Sequence, residues 1–121
     1  MSTIKANDIQ NASGGIPTVK GQRLIPTAWI HFNQSTNVIN DSESISSLTD
    51  NGTGKTYVNF TSTQNNAFYA SVVMGVPTVN HLHQVTYCHP NTTTYVRVVH
   101  YENNAATDSN VIHIVILGGQ A

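Results

Sequence analysis

The sequence predicts an all-β fold, an antiparallel β-sandwich of jelly-roll-like or immunoglobulin-like type with an extended N-terminal arm. Strand-like runs recur at short spacing from residue 28 onward, and clusters of Asn, Gly, Pro and Asp separate them. No window shows the i, i+3, i+4 apolar repeat of an amphipathic helix. Many short strands in a chain of 121 residues are typical of a sandwich or a small barrel.

The first 26 residues differ from the rest of the chain. Glycine and proline punctuate them, and they hold Lys5, Lys20 and Arg23, three of the five basic residues. No helical or strand period is sustained there. We therefore expect two regions, an extended docking arm at 1–26 and a β-sandwich domain at 27–121.

Eight strands are predicted from the alternation of apolar runs and turn residues. They are Ala28–Phe32, Val38–Asn40, Ser44–Leu48, Lys55–Thr61, Ala67–Gly75, Leu82–Tyr87, Thr94–Tyr101 and Asn110–Leu117. Trp29 is expected in the core because large aromatic side chains are mostly buried. In the fifth strand, Val72 and Met74 share one face with Phe68 and Ala70 because side chains alternate along a strand.

The strongest local signal is a hairpin between residues 45 and 61. Asp50-Asn51-Gly52-Thr53-Gly54 joins two strand-like runs, and its Asn-Gly pair tolerates the positive φ of a primed turn. In the second run, Val58 and Phe60 alternate with Tyr57. One side of this strand is expected to enter the core while the other faces water.

The last predicted strand is apolar on both faces. Ile112, Ile114 and Ile116 alternate with other apolar residues, whereas one sandwich core covers only one face of a strand. A subunit interface is therefore predicted on this strand, assigned to Ile112, Ile114, Ile116 and His113. Cover by a loop of the same chain is the alternative.

Three motifs carry a resemblance to a known family. They are Ala28-Trp29-Ile30-His31-Phe32-Asn33, the Ser46 to Gly54 run S-S-L-T-D-N-G-T-G, and Tyr57-Val58-Asn59-Phe60-Thr61. Over roughly residues 28 to 118 the chain resembles the small β-sandwich module of tailed-bacteriophage tail fibres and related virion structural proteins.

The resemblance implies a structural component of a bacteriophage virion, made in the host cytoplasm. It implies a short homotrimeric tail-fibre-type appendage whose residues 1–26 contact other virion proteins, with host-surface recognition as a further role. A capsid-decoration protein of the head and a carbohydrate-binding module remain alternatives.

Composition limits the partners. Charged residues make up 9% of the chain, against about 25% in ordinary soluble domains, so Ser, Thr and Asn must form much of the surface. The formal charge is −1 and no basic run occurs, which argues against nucleic acid. No apolar run approaches about 18 residues and the N-terminus is too polar for a signal peptide. Neither membrane insertion nor secretion through a signal peptide is expected.

No catalytic residues are predicted, and the chain is not expected to be an enzyme. Cys88 and His89 are adjacent on a strand, so they point to opposite faces and do not form a nucleophile and base pair. Asp41 and Glu43 lack the aromatic surroundings of a glycosidase site.

Six histidines are an unusual number for this length. His81 and His83 are two apart on a predicted strand, so both imidazoles point the same way. On a trimer axis, three copies would supply six nitrogens to iron or another transition metal, as H-x-H pairs do in some phage fibre tips. Surface imidazoles are the alternative, and otherwise no cofactor is expected.

Tyrosines and asparagines suggest a receptor surface. Tyr57, Tyr69 and Tyr101, with Asn103 and Asn104, offer flat rings for sugar C–H groups and amides for sugar hydroxyls. The sequence predicts these residues as a candidate surface for a host glycan.

Overall fold

The protein is an all-β sandwich of two antiparallel sheets, as predicted. The computed structural model describes residues 10, 12–15, 18–19, 22–23, 26–78, 83–89 and 92–120. Its strands are β1 (Thr18–Val19), β2 (Gln22–Arg23), β3 (Ala28–Asn33), β4 (Val38–Glu43), β5 (Ile45–Asp50), β6 (Lys55–Phe60), β7 (Ala70–Val76), β8 (Gln84–His89), β9 (Tyr95–Glu102), β10 (Ala105–Ala106) and β11 (Val111–Leu117). The described residues contain no helix capable of spanning a bilayer.

All eight predicted strands are present, with bounds that differ by at most three residues. The four-stranded sheet has the order β4-β3-β11-β7. In the five-stranded sheet β5 pairs with β6, and β9 pairs with β6, β8 and β10. The chain crosses between the sheets from β4 to β5, from β6 to β7, from β7 to β8 and from β10 to β11.

The described part of the predicted arm contains two short paired strands. β1 and β2 pair antiparallel, with Thr18 opposite Arg23 and Val19 opposite Gln22, and they form a sheet of their own. These four residues therefore pair with one another within the arm. Its role in docking stays a prediction.

The core lies between the sheets. It consists of Ala28, Ile30, Phe32, Val58, Phe60, Tyr69, Val96, Val98, Ile112, Ile114 and Ile116. Val58 and Phe60 point inward, as predicted from the alternation of β6. Burial of these apolar side chains is the main source of stability in such a fold.

The assignment of Ile112, Ile114 and Ile116 to a subunit interface is wrong. These side chains are at most 1% exposed because they already fill the core of their own chain. The intervening residues of β11 point outward, and His113 is among them. Only His113 of the four assigned residues is available to another subunit.

Trp29 is not a core residue either. Its neighbours Ala28 and Ile30 point inward, so the alternation of β3 turns Trp29 to the outer face, where it is half-buried opposite Val115. Met74 and Val72 do share one face, as predicted, but that face is also the outer one. The four-stranded sheet therefore exposes apolar side chains.

The β5–β6 hairpin is confirmed, although its turn differs from the one predicted. Gly52 and Gly54 have φ of 102° and 71°, whereas Asn51 is not among the residues with positive φ. The Asp50 carboxylate accepts a hydrogen bond from the Gly52 N–H at 2.9 Å. The positive φ values therefore occur at two glycines, which have no Cβ atom and adopt such angles without steric cost.

Candidate functional site

Four tyrosines form two pairs on the outer face of the five-stranded sheet. Tyr57 on β6 stacks on Tyr95 of β9, with ring centroids 4.4 Å apart and an angle of 19° between the planes. Tyr87 on β8 lies parallel to Tyr101 of β9 at 6.4 Å. We call these four residues, together with Arg97, the tyrosine face. It brings together the predicted residues Tyr57 and Tyr101 with two tyrosines not assigned to the receptor surface.

Tyr69 does not belong to this surface. It is only 4% exposed and packs edge to face on Phe60 at 5.5 Å. Its hydroxyl lies within hydrogen-bond distance of the carbonyls of Thr92 (3.0 Å) and Tyr95 (3.1 Å). Burial, with smaller contributions from Cys88 and Tyr95, raises the pKa of Tyr69 to about 12. Its assignment to a receptor surface is therefore wrong.

Asn103 and Asn104 form the two-residue turn between β9 and β10. Their φ angles are 50° and 63°, which is the pattern of a primed hairpin turn. Both side chains are exposed, directly after Glu102 at the end of the strand that carries Tyr101. They lie at the margin of the tyrosine face.

Arg97 occupies the centre of the tyrosine face. On the neighbouring strands Tyr57 of β6 and His89 of β8 lie directly opposite it. Its Nε is buried and has no hydrogen-bond partner among the described residues. No described carboxylate forms an ion pair with the Arg97 guanidinium, so this side chain is a candidate for binding an acceptor group.

The outer face of the four-stranded sheet is apolar. We call the apolar face the outward side chains Trp29 of β3, Val111, Val115 and Leu117 of β11, and Ala70, Val72, Met74 and Val76 of β7. Val72 and Met74 are 65% and 64% exposed. Contiguous exposed apolar surface of this kind marks an interaction site more often than an isolated exposed residue does.

Two histidines lie within the apolar face. The rings of His31 on β3 and His113 on β11 meet edge to face at 4.6 Å. The Nδ1 atom of His31 is 3.0 Å from the amide nitrogen of Asn40. Asp41 lies opposite His31 on β4 and Glu43 opposite Trp29, so the charged residues stand at one margin of the face.

The predicted metal site is only partly described. His81 lies outside the described residues, and His83 is exposed just before β8, where its carbonyl accepts a hydrogen bond from the Asn103 N–H at 2.9 Å. Within the described part of the chain, no three His, Cys, Asp or Glu residues are grouped as metal ligands. The metal at His81 and His83 stays a prediction.

A buried polar network connects β8, β9 and the segment after β7. The Thr86 hydroxyl lies 2.6 Å from Nδ1 of His100, and Nε2 of His100 lies 3.1 Å from Oε1 of Glu102. Thr78 donates to the Glu102 carboxylate from its N–H at 2.7 Å and from its hydroxyl at 2.9 Å. No motif or spacing in the sequence indicated that these residues form a network.

The order Thr, His, Glu resembles a nucleophile relay, but the approach to it is closed. A Cβ atom on Gly75 of β7 would lie 2.5 Å from Oγ1 of Thr86 and 2.7 Å from Nδ1 of His100. The backbone of β7 therefore occupies the place where a substrate would have to enter. We assign the network to the packing of the two sheets.

The network makes the stability depend on pH. Burial by itself raises the pKa of the Glu102 carboxyl, but hydrogen bonds from the Thr78 N–H, His100 and the Thr78 hydroxyl outweigh it and hold the pKa below its ordinary value. Because the folded-state pKa is depressed, the stabilisation is present above the unfolded-state pKa of about 4.3 and is lost as the pH falls through the folded-state value.

Replacing Glu102 with glutamine should remove this acid dependence. We expect Glu102→Gln to cost about 1–3 kcal/mol at neutral pH, because charge-assisted hydrogen bonds are lost. Urea unfolding at pH values from 7 down to below 4 should then give a shallower decline for the variant than for the unchanged protein. Glu43→Gln, at an exposed carboxyl, should keep the original decline. Identical declines in all three proteins would contradict the role of Glu102.

Cys88 is not placed for chemistry with His89. The thiol is half-buried against the core while His89 is exposed, as expected for adjacent strand residues. Burial raises the pKa of Cys88 to about 12, and a hydrogen bond with Ser71 lowers it by less. The thiol is therefore protonated and unreactive at neutral pH.

A polar groove of about 360 Å³ lies where the segments before β3, between β4 and β5, after β6 and after β11 meet. Its lining consists of Thr27, Ser44, Thr61, Ser62, Thr63, Gln64, Asn65 and Gln120. It offers hydroxyl and amide groups but neither charge nor an aromatic ring. It is therefore a weaker candidate for ligand binding than the tyrosine face.

Comparison of the chain with protein-family models, with curated proteins and with solved structures gives no match. The two outer faces, one tyrosine-rich and basic and the other apolar, are the surfaces from which a function is inferred.

Proposed function

We propose that the chain is a self-associating structural component of a bacteriophage virion, a short trimeric tail-fibre-type appendage. The apolar face is the observation that carries this proposal. Its exposed Val72 and Met74 lie on β7, which pairs with β11 and with no other described strand. Exposure of such an apolar surface to water is unfavourable, and packing against another copy of the chain removes that exposure.

The arrangement of the apolar face fits contact between copies. Apolar side chains fill its middle and the β7 side, whereas Asp41 and Glu43 stand at the β4 margin. Protein interfaces commonly have an apolar centre and a polar rim. Three copies that turn this face towards a common axis would bury it together with His31 and His113.

The sparsely charged surface supports a place within a larger assembly. With 9% charged residues and a formal charge of −1, the protein has little electrostatic repulsion between copies. In the proposed appendage, residues 1–26 dock on other virion proteins and the sandwich is displayed outward. This part of the proposal is supported by the resemblance to phage fibre modules.

Electron microscopy of virus particles labelled with an antibody against the chain tests the proposed location. We expect label at the tail, in clusters that reflect a few trimeric appendages. Label spread over the head lattice would instead support the capsid-decoration alternative. Particles without any label, from a preparation in which the protein is made, would contradict a virion component altogether.

A carbohydrate-binding module is the second candidate function, favoured by one observation. The aromatic rings of the tyrosine face lie on the same sheet surface as hydroxyl and amide groups, the combination that sugar rings require. This function is compatible with display on a virion. The charge and the hydrogen-bonding groups of that face indicate which class of sugar it would bind.

A further inference from the structure

The outer face of the five-stranded sheet, which contains the tyrosine face, has a net positive character. Lys55 and Arg97 both point outward on it, opposite Val99 and Tyr57 respectively. The outward positions of the sheet carry neither Asp nor Glu; they are Ser47 and Thr49 of β5, Lys55, Tyr57 and Asn59 of β6, Val85, Tyr87 and His89 of β8, Tyr95, Arg97, Val99 and Tyr101 of β9, and Ala106 of β10. Both cations therefore lack a carboxylate of the same face as a partner.

Arg97 is prepared to bind an anion. Its Nε–H is buried without an acceptor, and no described carboxylate forms an ion pair with its guanidinium. A planar guanidinium binds carboxylate through two parallel hydrogen bonds, which are stronger than neutral ones. A carboxylate placed on the tyrosine face would bind the terminal nitrogens of the guanidinium, because Nε alone of its nitrogens is buried without a partner and lies out of reach.

Aromatic surface lies on both sides of Arg97. The Tyr57 and Tyr95 pair lies towards β6, and the Tyr87 and Tyr101 pair lies towards β8, and all four rings are half-buried. Rings held in this way lose little side-chain entropy on binding. They offer apolar surface to the C–H groups of a sugar ring.

A strip of hydroxyl groups borders the aromatic surface. The Asn59 amide donates to the hydroxyls of Ser47 at 3.0 Å and Thr49 at 2.9 Å, so each of these hydroxyls keeps its own O–H to donate. The Asn51 amide donates to the Tyr57 hydroxyl at 3.1 Å in the same way. Three oriented hydroxyls are suited to the hydroxyl groups of a saccharide.

From these observations we propose that the tyrosine face binds an acidic polysaccharide, with a sugar carboxylate on Arg97 and sugar rings on the tyrosines. Two cations are too few for the phosphate contacts that dominate nucleic-acid binding, which favours a sugar ligand. This inference deepens the recognition part of the proposed function. It does not depend on trimer formation.

Isothermal titration calorimetry with acidic oligosaccharides tests the inference. The probes are oligogalacturonate, a hyaluronan oligosaccharide and an oligosialic acid, each beside its methyl ester, in which the carboxylate charge is removed. We expect saturable binding of at least one acidic probe and at least tenfold weaker binding of its ester. Failure of all three acidic probes to bind, equal binding of acid and ester, or tighter binding of oligothymidylate would each overturn the inference.

Substitutions at position 97 test whether Arg97 binds the sugar carboxylate. Arg97→Met should weaken binding of the acidic probe at least tenfold, whereas Arg97→Lys should keep part of the binding. Phe68→Ser removes a 93% exposed aromatic residue elsewhere and should leave the binding unchanged. Since Arg97→Met also removes an unsatisfied buried donor, its melting temperature should be no lower than that of the unchanged protein. Unchanged binding by a folded Arg97→Met variant would contradict the role of Arg97. Sedimentation of the same samples tests association separately.

Discussion

Gly54→Ala should destabilise the protein by about 3 to 4 kcal/mol, one of the largest effects of any single substitution outside the core. A Cβ at this position would lie 2.5 Å from the carbonyl oxygen of His100 and 2.8 Å from the nitrogen of Thr107. Both are backbone atoms and cannot rotate away. The Gly54 carbonyl also accepts from the His100 N–H at 2.8 Å, so the turn of the β5–β6 hairpin is tied to β9. Urea unfolding measures the loss.

Gly52→Ala is the matched control for this prediction. Gly52 also has a positive φ, 102°, but a Cβ there would meet no atom within 4 Å. Only the backbone strain remains, and we expect a loss of about 1 to 2 kcal/mol. Equal losses in the two variants would show that the close approach of Gly54 to β9 and the following loop is not what requires glycine.

Val72→Glu should abolish association while leaving the fold of each chain intact. Val72 is 65% exposed in the single chain, so glutamate is tolerated there, but in the proposed assembly the carboxylate would be buried among apolar side chains. An unpaired buried charge costs about 3 kcal/mol or more, which weakens association at least a hundredfold. Size-exclusion chromatography with light scattering measures the mass, and circular dichroism checks the fold.

Val85→Glu is the control for the change at Val72. Val85 is 56% exposed on β8, in the other sheet, and the same substitution there adds the same charge without touching the apolar face. We expect its mass to equal that of the unchanged protein. If Val72→Glu kept the same mass as Val85→Glu, the apolar face would not be the contact between copies.

Period-two alternation was sufficient to predict the strands and the inward face of β6. It was insufficient where both faces of a strand are apolar. On β11 the isoleucines point inward because their neighbours on β3, such as Ile30 opposite Ile114, also point inward, and that register depends on a partner far away in sequence. The prediction that Trp29 lies in the core is wrong for a related reason, since its size favours burial while the alternation of its own strand turns it outward.

The tyrosine face shows a second limit of sequence reasoning. Tyr95, Arg97 and Tyr101 alternate along one strand, so their common face was available as a signal in the sequence. The sequence carried no signal that these residues lie beside Tyr57 and Tyr87, because that proximity requires β9 to lie between β6 and β8. The turns were similarly uncertain, and the primed turn predicted at Asn51-Gly52 occurs instead at Asn103-Asn104.

Sedimentation equilibrium of the unchanged protein tests most directly the claim that copies associate through the apolar face. We expect a particle of three chains of 13.1 kDa each, which Val72→Glu converts to single chains. A well-folded species of 13.1 kDa that persists as the concentration is raised would contradict it.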